Sequence, residues 1–133
     1  MKAGKLAAVL AFGMGFGAAA AGADPVEGVW KTKPDDNGNF GHVQIKPCGP
    51  AFCGTLVKAF DSSGKVKESP NIGKLIVWDM IAYPEGLYDD GKIWSPDRDK
   101  TYDSDMTLSG DSLSVRGCVF GFCRDGGTWV RVK

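Results

Sequence analysis

The residues best suited to chemistry are four cysteines in two pairs of identical spacing, Cys48-Gly-Pro-Ala-Phe-Cys53 and Cys118-Val-Phe-Gly-Phe-Cys123. Thiols can ligate zinc, carry electrons, act as nucleophiles or cross-link the chain. Zinc pairs are separated by two to four residues, and a second pair or histidines complete the site. His42 is the single histidine here, and C-x4-C fits that pattern poorly. A thioredoxin-like centre needs C-x-x-C in an α/β setting, which this chain does not offer. Each enclosed segment carries a turn former, Gly49-Pro50 in one and Gly121 in the other. Facing residues across such a turn sit about 4.5–5.5 Å apart at Cα, within the range a disulfide accepts. Cross-linking is the expected role, and oxidised cysteines are not nucleophiles. The spacing favours Cys48–Cys53 with Cys118–Cys123. Chain entropy would reward a long-range pairing more, about 4.4 against about 2.2 kcal/mol, and sequence leaves the other connectivities open.

Other polar groups give little to build on. Asp97, Asp99, Asp103 and Asp105 crowd one segment, but they lack the ordered acidic ligands, central glycine and distal glutamate of an EF-hand. They read as a charged turn followed by a solvated strand face. His42 stands at an expected strand start, where a solvated side chain is the simple reading. In Trp78-Asp79-Met80, Trp78 is expected inward, in the core, because the opposite register would bury the Asp79 carboxylate and demand a partner such as Lys92 or Arg116. No catalytic residue, metal ligand or cofactor is expected, and the chain is not read as an enzyme.

Lys2 and Lys5, an Ala/Gly-rich apolar run from Leu6 to Ala20 and the small-x-small segment Ala21-Gly22-Ala23 form a secretory signal peptide over residues 1–23, cut before Asp24. The run is short for a bilayer span of roughly 30 Å, and no cysteine stands directly after the cut, so neither a membrane nor a lipid anchor is expected. A periplasmic or secreted location follows. The expected mature domain is residues 24–133. Loss of Lys2 and Lys5 from a balance of 16 Lys/Arg against 16 Asp/Glu leaves it at −2. That charge argues against nucleic acid or anionic lipid as the main partner. A chain of this size holds one modest core, which two disulfides would support.

Short β-rich runs, separated by Gly, Pro, Asn and Asp, position these groups: 28–32, 42–47, 54–59, 75–82, 87–95, 101–109, 112–117 and 128–132. Alternation is plain in Val43/Ile45 against Gln44/Lys46 and in Leu113/Val115 against Ser112/Ser114. Leu75-Ile76-Val77-Trp78 is apolar on both faces, so its outer face should be covered. Eight strands with mostly short links predict an all-β, small up-and-down antiparallel barrel, with a two-sheet sandwich as the alternative. Strand parity gathers links 33–41, 60–74, 96–100 and 118–127 at one loop-rich rim, and tight turns at the other end. It also places the two cysteine pairs at opposite ends, which supports the short pairings. Phe40, Phe60, Phe120 and Phe122 fall at the loop-rich rim, either as a ligand surface or as an inward-folded plug.

Gly28-Val29-Trp30 resembles the G-x-W motif of lipocalins and the wider calycin group. That likeness implies a basic residue of the last strand, here Arg131, packed over Trp30 at the closed end. Pro25–Trp30, Cys48-Gly49 with Cys53-Gly54, Leu75–Met80, Gly91-Lys92-Ile93, Lys100-Thr101-Tyr102, Val115–Cys118, Cys123-Arg124 and Thr128–Arg131 are similar to the exported bacterial family catalogued as domain of unknown function 2147. The resemblance implies a lipocalin-like barrel in the periplasm or outside the cell. It brings no activity. A small apolar ligand at the rim, bordered by Phe40, Phe60, Phe120 and Phe122 with Trp78, is the expected function. The alternative is a protein–protein module such as an inhibitor or cell-envelope interaction protein. An open apolar interior would favour the ligand, and a filled barrel would favour surface recognition.

Overall fold

The computed structural model describes residues 23–133, so the expected signal peptide lies outside the described residues apart from Ala23. Nine strands follow: β1 (Gly28–Lys31), β2 (Phe40–Cys48), β3 (Ala51–Phe60), β4 (Val66–Lys67), β5 (Leu75–Ala82), β6 (Leu87–Ser95), β7 (Lys100–Ser109), β8 (Ser112–Val119) and β9 (Phe122–Arg131). Each pairs antiparallel with its neighbours in the order β2-β1-β9-β8-β7-β6-β5-β3-β4, and β2 also pairs with β3. Eight strands therefore close into an up-and-down barrel, with β4 appended to the end of β3. The sandwich alternative is excluded, because a sandwich would leave edges where this sheet closes on itself.

Period-two side-chain alternation fills the barrel. Val43 and Ile45 of β2, Leu113 and Val115 of β8, and Trp30, Val77, Met80 and Met106 are all fully buried, with Trp129 and Tyr88 nearly so. Close approach is built into the wall: a Cβ at Gly54 would stand 2.7 Å from Val43 Cγ1 and 3.0 Å from Val77 Cγ2. Ile76 and Val77 are adjacent and both buried. Adjacent strand residues face opposite ways, so the outer side of β5 is covered there, as its double-faced sequence requires.

Two expectations are corrected. Trp78 is half-exposed, and Val77 takes the interior position. Val77 faces Gly54 and Ile93 across the sheet, a level already filled by small aliphatic groups where an indole would clash. Asp79 then adopts φ +58°, a bulge-like irregularity that turns Met80 back inward and leaves Asp79 exposed. The expected link 118–127 is instead mostly strand. β8 runs to Val119 and β9 begins at Phe122, joined by Phe120-Gly121.

Candidate functional site

The compact end is closed by the segment preceding β1. Val26 is fully buried, and its carbonyl accepts the Trp30 indole N–H at 2.9 Å. The Arg131 guanidinium lies 4.4 Å from the Trp30 ring centroid. It donates to the Glu27 carbonyl at 3.0 Å, to the Pro25 carbonyl, and through Nε to Asp111 at 2.8 Å. The Tyr88 hydroxyl donates to Asp24, and burial, reinforced by that carboxylate, pushes the phenol's pKa up. Asp24–Glu27 is thus a plug for the barrel floor. Phe52 packs edge-on against Tyr88 at 6.0 Å between centroids, beside the Cys48–Cys53 disulfide.

The opposite end is dominated by the β8–β9 hairpin. Cys118 faces Cys123 and Val119 faces Phe122, and the Cys118–Cys123 disulfide locks the pair with Cα atoms 4.0 Å apart. Pairing of β7 with β8 stops at Asp103–Cys118, and β1 pairs with β9 only at Trp30–Arg131 and Lys31–Val130. The tip therefore makes no backbone pairing with either neighbour, and overhangs the start of β7 across a hollow bordered by Thr101 and Tyr102. Phe120 is 94% exposed, Phe122 81% and Val119 45%. Phe120 also holds φ +51° and Gly121 φ +81°, the two positive values a tight I′-type hairpin turn needs. The first of these positions normally takes Asn, Asp or Gly, because a Cβ is strained in the left-handed region. A bulky aromatic here is unfavourable for both the turn and the solvent contact.

Beside this hairpin, the outer face of β6–β8 carries a hollow of about 440 Å³ bordered by Asp89, Asp90, Asp103, Asp105 and the Cys118–Cys123 disulfide. The four aspartates that looked clustered in sequence do not converge. Asp103 pairs with Lys92, Asp105 is bound by Arg116 through Nε at 2.8 Å and through Nη2, and Asp99 accepts the Trp94 indole N–H at 3.0 Å. Asp105 and the two disulfide sulfurs lie within 4.8 Å of one another, but with the sulfurs bonded together and the carboxylate held by Arg116 the group is structural.

Phe40 and Phe60 are elsewhere. They face each other across β2–β3 and stack with centroids 4.9 Å apart and an interplanar angle of 11°. Phe40 and His42 alternate with the buried Val43 and Ile45, so this pair lies on the outer wall. His42 is not simply solvated: its ring packs 4.5 Å from that of Phe60. Burial, then the fields of Lys58, Lys31 and Lys133, hold its pKa below the ordinary value. Lys31 Nζ stands 4.6 Å from the Phe40 centroid. The four phenylalanines expected around one mouth are thus two separate groups, a stacked pair on the wall and an exposed pair on the hairpin, with Trp78 on the outer face opposite Lys92. The row Lys31–His42–Lys58 was missed in sequence. The inward parity of Trp30 and Val43 already marked Lys31 and His42 as outward.

The closed eight-stranded antiparallel barrel, plugged at one end with an arginine across a first-strand tryptophan, is a lipocalin-like fold. The same architecture is found in a solved structure described as "Protein HP1028 from the human pathogen Helicobacter pylori belongs to the lipocalin family". The match has TM-score 0.65 at 16% identity and covers 81% of this chain and 83% of that one. At that identity the likeness concerns the fold alone. The chain belongs to the family of uncharacterized proteins conserved in bacteria designated domain of unknown function 2147, which it matches over residues 28–131. No curated protein matches it in sequence.

Proposed function

We propose that this protein is an exported, non-catalytic recognition module of the bacterial cell envelope, which binds a partner protein by inserting the Phe120/Phe122 tip of its stapled hairpin into an apolar cleft. The supporting observation is the pair of almost fully exposed aromatics on a rigid arm above a filled barrel. Solvent-exposed apolar clusters on a soluble domain mark interaction sites, and aromatics dominate the anchors of protein interfaces. The Cys118–Cys123 link reduces the ordering entropy that binding would otherwise cost. Two disulfides fit an oxidising compartment, and no helix among the described residues is long and apolar enough to cross a membrane. An anionic bilayer surface suits the tip poorly, since Asp89, Asp90 and Asp103 border the hollow beside it and would be repelled.

The small-ligand reading requires interior room. The interior is occupied by Trp30, Met80, Met106, Leu113 and Trp129, and the four phenylalanines do not border a common space. A direct test places a photo-cross-linking phenylalanine analogue at position 120, with position 44 on the outer face of β2 as control, in cells exporting the protein. A protein cross-linked from 120 and not from 44 is then purified and its affinity measured. Phe120→Ser/Phe122→Ser should weaken binding at least a hundredfold at unchanged melting temperature. Unchanged affinity in the double variant would overturn the reading. So would stoichiometric uptake of a fluorescent fatty-acid probe that shifts the signals of Trp30 and Met106, which would restore the small-ligand function.

A further inference from the structure

We infer that the outer face of β1–β3 is an anion-binding platform, built to hold the phosphate of a small phosphomonoester while an apolar part of the same molecule lies on Phe40 and Phe60. The inference does not depend on the hairpin. Lys31 faces His42 across β1–β2, and His42 faces Lys58 across β2–β3, so three cationic or cation-forming side chains occupy one row on three neighbouring strands. Directly opposed like charges destabilise a sheet, and the usual remedy is an interleaved carboxylate. None is present: the ion pairs among the described residues engage Lys92, Arg116 and Arg131, and neither Lys31 nor Lys58 is among them. With Asp/Glu as numerous as Lys/Arg in the whole chain, composition does not impose such a row.

Lys31 from β1 and Lys58 from β3 face His42, and the charges whose fields act on it are these two and Lys133 at the end of the chain, all positive. Their combined field would be relieved by a bound anion. Two ammonium groups and an imidazole match the two charges and three oxygens of a phosphomonoester better than the single charge of a carboxylate. One row is too small for a nucleic-acid backbone, which needs an extended basic track. Next along the same face, the stacked Phe40 and Phe60 rings form a half-buried aromatic shelf, which Lys31 and His42 both touch. The Phe40 ring relieves Lys31 in part, but no ion pair or ring contact among the described residues relieves Lys58, and a local rule left broken is where function is expected.

The test follows the His42 Cε1–H signal by NMR across a pH series, with phenyl phosphate and inorganic phosphate as probes. Phenyl phosphate should raise the His42 pKa by about one unit or more, as an opposite charge within a few ångströms does, and should perturb the ring signals of Phe40 and Phe60. Inorganic phosphate should act at the same histidine with at least tenfold weaker affinity, because it lacks the ring. Lys31→Gln/Lys58→Gln, which leaves the core untouched and relieves the like-charge row, should weaken phenyl phosphate at least tenfold without lowering the melting temperature. Vesicles of phosphatidylcholine with and without one-fifth phosphatidic acid distinguish the sources. Sedimentation with the acidic vesicles, lost in the lysine double variant, assigns the phosphate to a lipid headgroup, and phenyl phosphate binding without sedimentation assigns it to a soluble ester. The platform is refuted if phenyl phosphate leaves the His42 titration unmoved, or if the lysine double variant binds it as tightly as the parent.

Discussion

Cys48–Cys53 and Cys118–Cys123 enclose the same number of residues, join consecutive strands and lie at opposite ends of one barrel. In the first hairpin the cysteines are offset: Cys48 faces Ala51 and Cys53 faces Lys46, with Cα atoms 5.8 Å apart. Ala51 and Cys53 are buried, and Phe52 between them packs on Tyr88. In the second the cysteines oppose each other directly, and everything beyond them is exposed. Identical spacing thus fixes the length of a loop and neither its register nor its burial. Those follow from the turn, Gly49-Pro50 in one case and Phe120-Gly121 in the other, and from what the neighbouring strands leave uncovered. One staple is part of the floor of the fold. The other rigidifies an arm that contributes little to folding.

The largest expected effect belongs to the floor. Trp30→Ala should destabilise the protein by about 3–5 kcal/mol, the usual cost of truncating a fully buried aromatic. The variant would also remove the ring on which the Arg131 guanidinium packs, while leaving its bonds to Asp111 and the Pro25 and Glu27 carbonyls. Urea denaturation followed by far-ultraviolet circular dichroism measures it. A variant melting within a few degrees of the parent would mean that the compact end is not the stabilising one.

Removing the staples one at a time sharpens the contrast. Both loops are equally short, so the chain-entropy contribution is the same, about 2.2 kcal/mol each. The native-state contribution differs. Cys48→Ala/Cys53→Ala also removes sulfur packed in a site where Cys53 is 5% exposed, which should add about 1 kcal/mol. Cys118→Ala/Cys123→Ala removes little packing. Equal losses in parallel denaturation curves would show that the second hairpin is as integral as the first.

What could be read in advance follows the same division. Alternation in Val43/Ile45 and Leu113/Val115 records which way a regular strand faces, so the barrel was legible, and parity separated the two disulfides correctly. Trp78 was misplaced because counting by twos cannot see the irregularity at Asp79, where φ is +58°. The segment 118–127 reads as a loop because Gly121, Gly126 and Gly127 interrupt it, yet β8 and β9 pair on both sides of the one register shift they carry. Phe40, Phe60, Phe120 and Phe122 lie at strand ends or in a turn at one end of the barrel. End and face are separate coordinates, however, and only the register of β2 against β3 puts the first two on the wall while the last two project.

The smallest expected effect has the opposite sign, and it bears most directly on why the second hairpin exists. Phe120 occupies the left-handed region at φ +51° and is 94% exposed, so in the free protein its side chain gains almost no burial while its backbone is strained. Asparagine tolerates that conformation far better than an aromatic residue and is the favoured first residue of such turns. Phe120→Asn should therefore leave the fold intact and raise its stability by about 0.5–1 kcal/mol, the reverse of the change at Trp30. The same variant should lose the partner that cross-links from position 120. A gain in stability together with a loss of binding would mean that Phe120 is kept at a cost to folding because it contacts something outside the chain. If Phe120→Asn instead lowers the melting temperature, the ring is supporting the hairpin itself, and the division between a folding staple and a recognition staple would have to be given up.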